Sequence, residues 1–212
     1  MDAVTGTDEY WNGFRVISRG ANRVCARDPD DPARCLKFEL PPGDRTRVGR
    51  RQQLRRWLAL NIPAFGENRT ELRAYRRLRQ RLGDALEGRL AACQGLVDTA
   101  AGPALQCDCV LQDDGQPASS LYRHLFIQPG YRAEPLCAAV DAFEAWLLAH
   151  DVPLFDLNAG NFVVVGPAAA PRLVCVDAKS VLSGKEILPL SRWSRRLMHR
   201  KLARRCQRLR ER

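Results

Sequence analysis

The stretch from Leu154 to Ser180 reads LFDLNAGNFVVVGPAAAPRLVCVDAKS. It contains two short apolar runs, Phe162–Val165 and Leu173–Val176, separated by a segment rich in Gly, Pro and Ala. Runs of this length and composition predict a β-hairpin. Asn161 directly precedes the first run and Asp177 directly follows the second. Because antiparallel pairing brings such flanking residues to one end of a hairpin, we expect their side chains to lie close together.

The residue types at this end of the hairpin suit a hard cation. Mg²⁺ prefers oxygen ligands, often one or two carboxylates together with phosphate oxygens, so Asn161 and Asp177 are the candidate metal ligands. Asp156 lies five residues before Asn161, in a loop that Gly160 allows to turn sharply, and is the candidate catalytic group that orients or deprotonates a hydroxyl. An Asp-x-x-x-x-Asn motif followed by Asp after a short hairpin is the phosphotransfer core of the protein-kinase superfamily. The alternative is that these residues only form turns, which Asp and Asn often do.

A kinase-like fold also needs a lysine on its third strand to hold nucleotide phosphates. The chain has 30 arginines and only four lysines, so each lysine merits individual consideration. Lys37 lies in the predicted strand Arg34–Phe38 and is the candidate phosphate-binding residue. A lysine that merely faces solvent from a strand is the alternative interpretation.

Such a lysine is held by a glutamate on a nearby helix. The spacing of Leu72, Tyr75, Leu78 and Leu82 predicts a helix over Asn68–Leu82. Glu71 lies in line with this stripe, and a buried carboxylate there needs a partner, so Glu71 is the candidate partner of Lys37. Two alternatives remain open: Glu67 pairs with Lys37, or Glu71 completes a capping box with Asn68 as the N-cap residue.

The N-terminal part predicts a hairpin of Arg15–Ile17 and Arg23–Arg27 around the turn Ser18–Asn22. Gly20, at the tip of this turn, is the candidate residue for covering a bound nucleotide. A plain hairpin turn explains the same residues equally well, because the turn contains a single glycine.

The remaining pattern predicts a short helix over Gln53–Leu60, two strands within Gly95–Leu111, a helix over Leu136–Leu148 and a last helix that begins near Ser191. The apolar stripe of that last helix is predicted to be Trp193, Leu197, Leu202, Cys206 and Leu209. Together these elements predict an α+β fold, a compact protein-kinase-like arrangement of two lobes with a truncated C-terminal lobe. A single domain over residues 1–212 is expected, with the N-lobe at about 12–113 and the reduced C-lobe at about 114–212.

Composition excludes several classes of protein. No apolar run approaches the ~20 residues of a membrane-spanning helix, so no transmembrane segment is expected. The first residues carry no basic region of an export signal, which favours a cytoplasmic protein. Eight cysteines include no C-x-x-C pair and accompany only three histidines, so a structural zinc site is not expected.

The net charge of +10 is unevenly distributed. Residues 189–212 carry nine Arg and one Lys against one Glu, and residues 44–89 carry thirteen Arg against five acidic residues. This asymmetry indicates an anionic partner, either phosphate, nucleic acid or lipid headgroups. The basic C-terminal helix itself is expected to pack by its apolar stripe and to leave its arginines in solvent, and the alternative is that it docks on an anionic membrane surface or on nucleic acid.

With these pieces in order, the chain resembles the YrbL family of PhoP regulatory network proteins. The residues that carry the resemblance are Gly20–Cys25, Arg34–Lys37, Glu71–Leu72 with Tyr75 and Leu78, Asn161, Val174–Asp177, and Ile187–Leu190 followed by Trp193–Ser194. The resemblance implies a fold similar to that of protein kinases, but it supplies no biochemical activity.

The sequence departs from ordinary kinases around both aspartates. Leu154 and Phe155 stand where His and Arg are usual, and Ala178 and Lys179 stand where Phe and Gly are usual. We therefore expect a kinase-like protein that binds ATP and Mg²⁺ and transfers phosphate to an unidentified acceptor. The alternatives are a non-catalytic regulator that binds a protein partner through the same scaffold, and a basic protein that binds anionic surfaces or nucleic acid.

Overall fold

The structure is a computed structural model that describes residues 9–44, 66–182 and 194–212. The predicted helix over Gln53–Leu60, the segment Ile187–Leu190 and Trp193, with the expected helix start near Ser191, lie outside the described residues. The chain divides into two compact units. We call them the sheet unit, Met1–Leu72 with Ala92–Cys109, and the helical unit, Arg73–Ala91 with Val110–Arg212.

The sheet unit is built on an antiparallel sheet with the strand order β1-β2-β3-β4-β6-β5. Its strands are β1 (Tyr10–Trp11), β2 (Phe14–Arg19), β3 (Arg23–Arg27), β4 (Arg34–Glu39), β5 (Cys93–Thr99) and β6 (Gly102–Asp108). Alternation along β4 directs its side chains to opposite faces. Leu36 and Phe38 pack with Ala26 and Ala104 on one face. Lys37 therefore belongs to the other face, opposite Cys25 of β3 and Leu105 of β6 in the register.

The helical unit contains α2 (Leu121–Phe126), α3 (Ala133–Ala149), α4 (Arg195–Arg210) and the hairpin of β7 (Phe162–Val165) and β8 (Arg172–Cys175). The predicted hairpin is confirmed, with β8 beginning and ending one residue earlier than predicted. The predicted face of α3 is also confirmed, because Leu136, Val140, Phe143 and Leu147 are all buried in one core. The ring of Phe143 meets that of Phe162 edge-on at 5.0 Å, which joins α3 to the hairpin.

The helix α1 (Glu67–Leu82) begins one residue before the predicted start and ends where predicted. Its first six residues belong to the sheet unit and the rest to the helical unit. Leu72 and Leu78 of the predicted stripe are buried, while Tyr75 and Leu82 are partly buried.

The α+β class is thus confirmed. The strand β5 begins two residues before the predicted Gly95 and the helix α3 three residues before the predicted Leu136, and three further details differ from expectation. The two-residue strand β1 and the six-residue helix α2 were not predicted, because elements this short give too few residues for a periodic pattern. In α4 the predicted burial of Leu197 is wrong: it is 42% exposed, and Met198 is buried with Leu202, Cys206 and Leu209 instead. Within the described residues, no helix is both long and apolar enough to span a membrane.

Candidate functional site

Lys37 and Glu71 form a buried ion pair in the sheet unit. The Lys37 ammonium lies 2.7 Å from Oε1 of Glu71, and the two residues are only 6% and 1% exposed. Lys37 comes from the centre of β4 and Glu71 from the first turns of α1. A charge that is nearly removed from water persists only with a partner, so each of these groups depends on the other.

Arg23 from the start of β3 is a second partner of Glu71. Its guanidinium donates to Oε2, the carboxylate oxygen that Lys37 does not use. Glu67, the alternative partner of Lys37, instead accepts a hydrogen bond of 2.6 Å from the side chain of Asn22 and lies 3.7 Å from Nε of Arg23. Among the two glutamates considered from the sequence, Glu71 is therefore the one that pairs with Lys37.

Asn68 does not act as an N-cap residue, because α1 already begins at Glu67. Its side-chain amide donates to the backbone carbonyl of Lys37 at 2.7 Å. Its own backbone N–H donates to the carboxylate of Glu39 at 2.9 Å. The capping-box interpretation of Asn68 and Glu71 is thus wrong: these bonds tie the start of α1 to β4 and fix the position of Glu71 over the strand that carries Lys37.

The electrostatics of this cluster keep Lys37 charged. Burial disfavours the charged form of Lys37, but the negative charges that Cys107, when ionised, and the Glu71 carboxylate place beside it outweigh burial and raise the pKa of Lys37 well above its usual value. A lysine that stays protonated is suited to neutralising an anion such as a phosphate, and unsuited to acting as a base.

Cysteines surround the ion pair on the same face of the sheet. In the register, Cys35 of β4 is opposite Cys107 of β6, which is in turn opposite Cys93 of β5. The sulfur atoms of Cys93 and Cys107 are 3.4 Å apart. The hydrogen bond between Cys107 and Cys93, assisted by the charge of Lys37, lowers the pKa of Cys107. Sequence analysis missed this grouping, because it depends on the pairing of strands that are far apart in the chain.

Gly20 lies in the turn between β2 and β3, as predicted. Its N–H donates to the carbonyl of Arg23 at 2.8 Å, which closes the hairpin. The side chain of Asn22 in the same turn is bound to Glu67. This geometry is that of a hairpin turn whose Gly20 N–H is already used, and the role of Gly20 in covering a nucleotide stays a prediction.

In the helical unit, Asn161 and Asp177 lie at the same end of the β7–β8 hairpin. The register pairs Phe162 with Cys175, and the N–H of Val176 donates to the carbonyl of Asn161 at 2.9 Å. Asp177 is the next residue and is 9% exposed. The Asn161 amide nitrogen donates to the carbonyl of Asp156 at 3.0 Å, and this bond turns the amide oxygen away from that carbonyl. The hairpin therefore brings Asn161 and Asp177 to one of its ends, and amide and carboxylate oxygens are ligands that suit Mg²⁺.

Asp156 is held by its backbone, while its carboxylate faces solvent. Its N–H donates to the hydroxyl of Ser180 at 3.1 Å, and its carbonyl accepts from Asn161. The side chain is exposed, and no described residue hydrogen-bonds to its carboxylate. An ordered loop with an available carboxylate is suited to orienting a hydroxyl group.

Lys179 supplies a cation at Asp177. Its ammonium lies 3.0 Å from Oδ2, and its backbone N–H donates to Oδ1 at 3.1 Å. Lys179 occupies a position where ordinary kinases have glycine. The carboxylate predicted to bind a metal is thus already balanced by a positive charge from two residues along the chain.

The unusual residues before Asp156 are explained by packing. Leu154 is fully buried and Phe155 is 6% exposed, both in the core of the helical unit. The ammonium of Lys201 in α4 lies 3.8 Å from the centre of the Phe155 ring. Apolar side chains at these two positions therefore anchor the Asp156 loop, and the loop still places Asp156 in solvent.

The helix α4 packs by an apolar stripe and keeps much of its basic surface exposed. Arg210 binds Asp141 and Glu144 of α3, which joins the two helices. Lys201, Arg204, Arg205 and Arg208 line a hollow of about 170 Å³. The packing role of the helix is therefore visible, and its binding to an anionic surface stays a prediction.

Comparisons with known proteins complete the description. No curated protein matches the chain. Among solved structures, the crystal structure of WbdD is similar, with 14% identity and a TM-score of 0.49. The match covers 92% of this chain, which spans about half of the other one (46%). The family model described as PhoP regulatory network protein YrbL matches residues 12–212. The resemblance noted in the sequence is thus confirmed, and the chain belongs to the YrbL family.

Proposed function

We propose that the protein is a kinase-like phosphotransferase that binds ATP with Mg²⁺. The observation that carries the proposal is the buried ion pair of Lys37 and Glu71. One of only four lysines lies in the middle of a sheet, nearly removed from water, and is held by a glutamate on a helix. A purely structural role is a weak explanation, since apolar residues of similar volume stabilise an interior at least as well as a buried ion pair does.

The roles assigned in the sheet unit follow from charge. Lys37 stays protonated and is assigned the phosphate oxygens of the nucleotide. Glu71 fixes the direction of the Lys37 side chain, and Arg23 holds the second oxygen of Glu71. Arg23 is thus a positioning residue that the sequence motif did not reveal.

The roles assigned in the helical unit follow from the available oxygen atoms. Asp177 and the amide oxygen of Asn161 are assigned to Mg²⁺, and the carboxylate of Asp156 is assigned to the acceptor hydroxyl. When bound, Mg²⁺ and ATP supply the phosphoryl group and the positive charge that offsets its negative charge during transfer. The residues of this chain bind the nucleotide and the metal ion and orient the acceptor. The carboxylate of Asp156 holds the proton of the acceptor hydroxyl.

A thermal-shift experiment tests nucleotide binding. The full chain is heated with ATP and Mg²⁺, and with each omitted in turn. A ligand at about 100 times its dissociation constant adds roughly 2.7 kcal/mol to the free energy of unfolding, which gives a visible rise in Tm. We expect a rise that needs both ligands and that Asp177→Asn abolishes. Asp113→Asn, which changes an exposed aspartate in the same unit, is the matched control and keeps the rise.

Two variants separate binding from transfer. Asp156→Ala is expected to bind ATP and Mg²⁺ as the wild type does and to lose phosphate transfer or ATP hydrolysis. Asp177→Asn is expected to lose the Mg²⁺-dependent part of binding. If millimolar ATP with Mg²⁺ gives no shift in the wild type, the proposal is wrong.

A non-catalytic regulator is the second candidate, and the ion pair of Lys179 with Asp177 favours it. An ammonium that balances the Asp177 carboxylate competes with a metal ion for it. The family description, which places its members in the PhoP regulatory network, fits such a role. This candidate predicts ATP binding that is unchanged by omission of Mg²⁺, together with no phosphate transfer in the wild type.

A further inference from the structure

The sheet unit contains a cluster of three potential metal ligands, none of which is assigned to Mg²⁺. Its members are Glu71 of α1, Cys93 of β5 and Cys107 of β6, and one carboxylate oxygen and the two sulfur atoms all lie within 4.8 Å of one another. All three residues are buried. The cluster is drawn from three separate elements that the fold brings together, and no short sequence motif signals it.

The spacing of the sulfur atoms fits a single tetrahedral metal ion. With Zn–S bonds of about 2.3 Å, two thiolates of a tetrahedral zinc site are separated by about 3.8 Å. The sulfur atoms of Cys93 and Cys107 are 3.4 Å apart, so a movement of a few tenths of an ångström brings them to that spacing. Cys93 of β5 is opposite Cys107 of β6 in the register, and this pairing of the two strands holds the sulfur atoms close together.

Charge also permits a divalent ion in this buried place. When two thiols bind a divalent ion, they release two protons. The two positive charges that the ion brings therefore replace the two positive charges that leave with the protons. The net charge of the cluster with Lys37 and Arg23 is then unchanged. Each carboxylate oxygen has two lone pairs, so Glu71 can bind a metal without giving up both of its present hydrogen bonds.

We propose that Glu71, Cys93 and Cys107 form a binding site for a thiophilic divalent metal ion of the Zn²⁺ class. Two sulfur ligands with one carboxylate select Zn²⁺ over Mg²⁺, because Mg²⁺ requires oxygen ligands. The site is therefore distinct in chemistry from the one assigned to Asn161 and Asp177. The expectation from the sequence that no structural zinc site exists rested on the absence of a C-x-x-C pair and on the presence of only three histidines. Neither ground covers two cysteines that are far apart in the chain and share a site with a glutamate.

Co²⁺ serves as a spectroscopic probe of the intact protein. The full chain is treated with a chelator, reduced, freed of both reagents and titrated with Co²⁺ and then with Zn²⁺. We expect a thiolate-to-cobalt absorption that saturates at about one Co²⁺ per chain and that Zn²⁺ abolishes by displacement. Release of about two protons per Zn²⁺, measured in a weakly buffered solution, is the second expected result.

Variants locate the site. Cys93→Ala and Cys107→Ala are each expected to weaken Zn²⁺ binding at least about tenfold, measured by competition with a chromophoric chelator. Cys206→Ala is the matched control, because Cys206 is also buried but lies in the helical unit, and it is expected to bind Zn²⁺ as the wild type does. Circular dichroism verifies that each variant is folded.

Two results overturn the proposal. One is a reduced, folded wild-type chain that shows no thiolate-to-cobalt absorption. The other is a Zn²⁺ affinity of the double variant Cys93→Ala/Cys107→Ala equal to that of the wild type. Neither result depends on ATP, so the outcome is separate from that of the phosphotransferase proposal.

Discussion

Replacing Lys37 by methionine removes the ammonium from the buried ion pair but keeps most of the volume of the side chain. Glu71 then loses the partner of Oε1 and keeps Arg23 at Oε2. Breaking a fully buried pair costs about 3–5 kcal/mol. Because one of two partners remains, we expect Lys37→Met to lower the free energy of unfolding of the sheet unit by about 2–3 kcal/mol.

The assay must report on the sheet unit itself, since a chain with two units need not unfold in one step. Amide hydrogen exchange of peptides from β3 and β4 gives the free energy of opening for that part of the sheet. The measurement is made in reducing buffer for the wild type, Lys37→Met, Glu71→Gln and the double variant. If Lys37 and Glu71 interact, the sum of the losses in the free energy of opening for the two single variants exceeds the loss for the double variant by at least about 1 kcal/mol.

Glu67→Gln is the matched control. Glu67 is on the same helix, and its Oε2 is 3.7 Å from Nε of Arg23. Its Oε1 accepts the hydrogen bond from Asn22, and the carbonyl oxygen of a glutamine can still accept that bond. We expect this change to cost less than about 1 kcal/mol. The reasoning is refuted if the loss in the free energy of opening for the double variant equals the sum of the two single losses. It is also refuted if Glu67→Gln costs as much as Glu71→Gln.

Three further predictions concern the helical unit. Lys179→Met removes the cation at Asp177 and is expected to strengthen the Mg²⁺ dependence of ATP binding at least about threefold, measured by calorimetry. A hydrogen bond from His199, with the charge of Arg195, lowers the pKa of Asp151, so its contribution to stability is present above about pH 4 and is lost as the pH falls through the lowered pKa. Asp151→Asn is therefore expected to destabilise the protein in urea unfolding at neutral pH, by an amount that shrinks progressively as the pH is lowered below about 4. Phe162→Ala empties a fully buried site beside Phe143 and is expected to cost about 3–5 kcal/mol, and a cost below about 1 kcal/mol in urea unfolding contradicts the packing described.

Much of the fold was predictable because its main elements carry strong local patterns. The hairpin of β7 and β8 has two apolar runs of the right length on either side of a turn, and α1 and α3 have clear stripes at helical spacing. The last helix shows the limit of this reasoning. Leu197 and Met198 are neighbours of similar hydropathy, and only the packing of α4 on the core of the helical unit decides that Met198 is buried.

For the candidate site, the sequence indicated residue types but not their partners. Glu71 and Glu67 are one turn apart on α1, and the choice between them depends on Arg23 and Asn22, which lie more than forty residues earlier in the chain. The cysteines were individually visible, but their grouping depends on strand pairing between β4, β6 and β5. The ion pair of Lys179 with Asp177 was also missed, although a lysine two residues after a predicted metal ligand is a signal that sequence analysis can use.

The hydrogen bonds of the Asp156 loop have a consequence for the thermodynamics of binding. Ser180 and Asn161 fix the backbone on both sides of Asp156 without any ligand. Ordering a loop residue costs roughly 1–2 kcal/mol in conformational entropy, and in this loop that cost is already met during folding. A ligand that reaches Asp156 therefore meets a preorganised backbone, and its affinity is reduced little by the ordering of the loop.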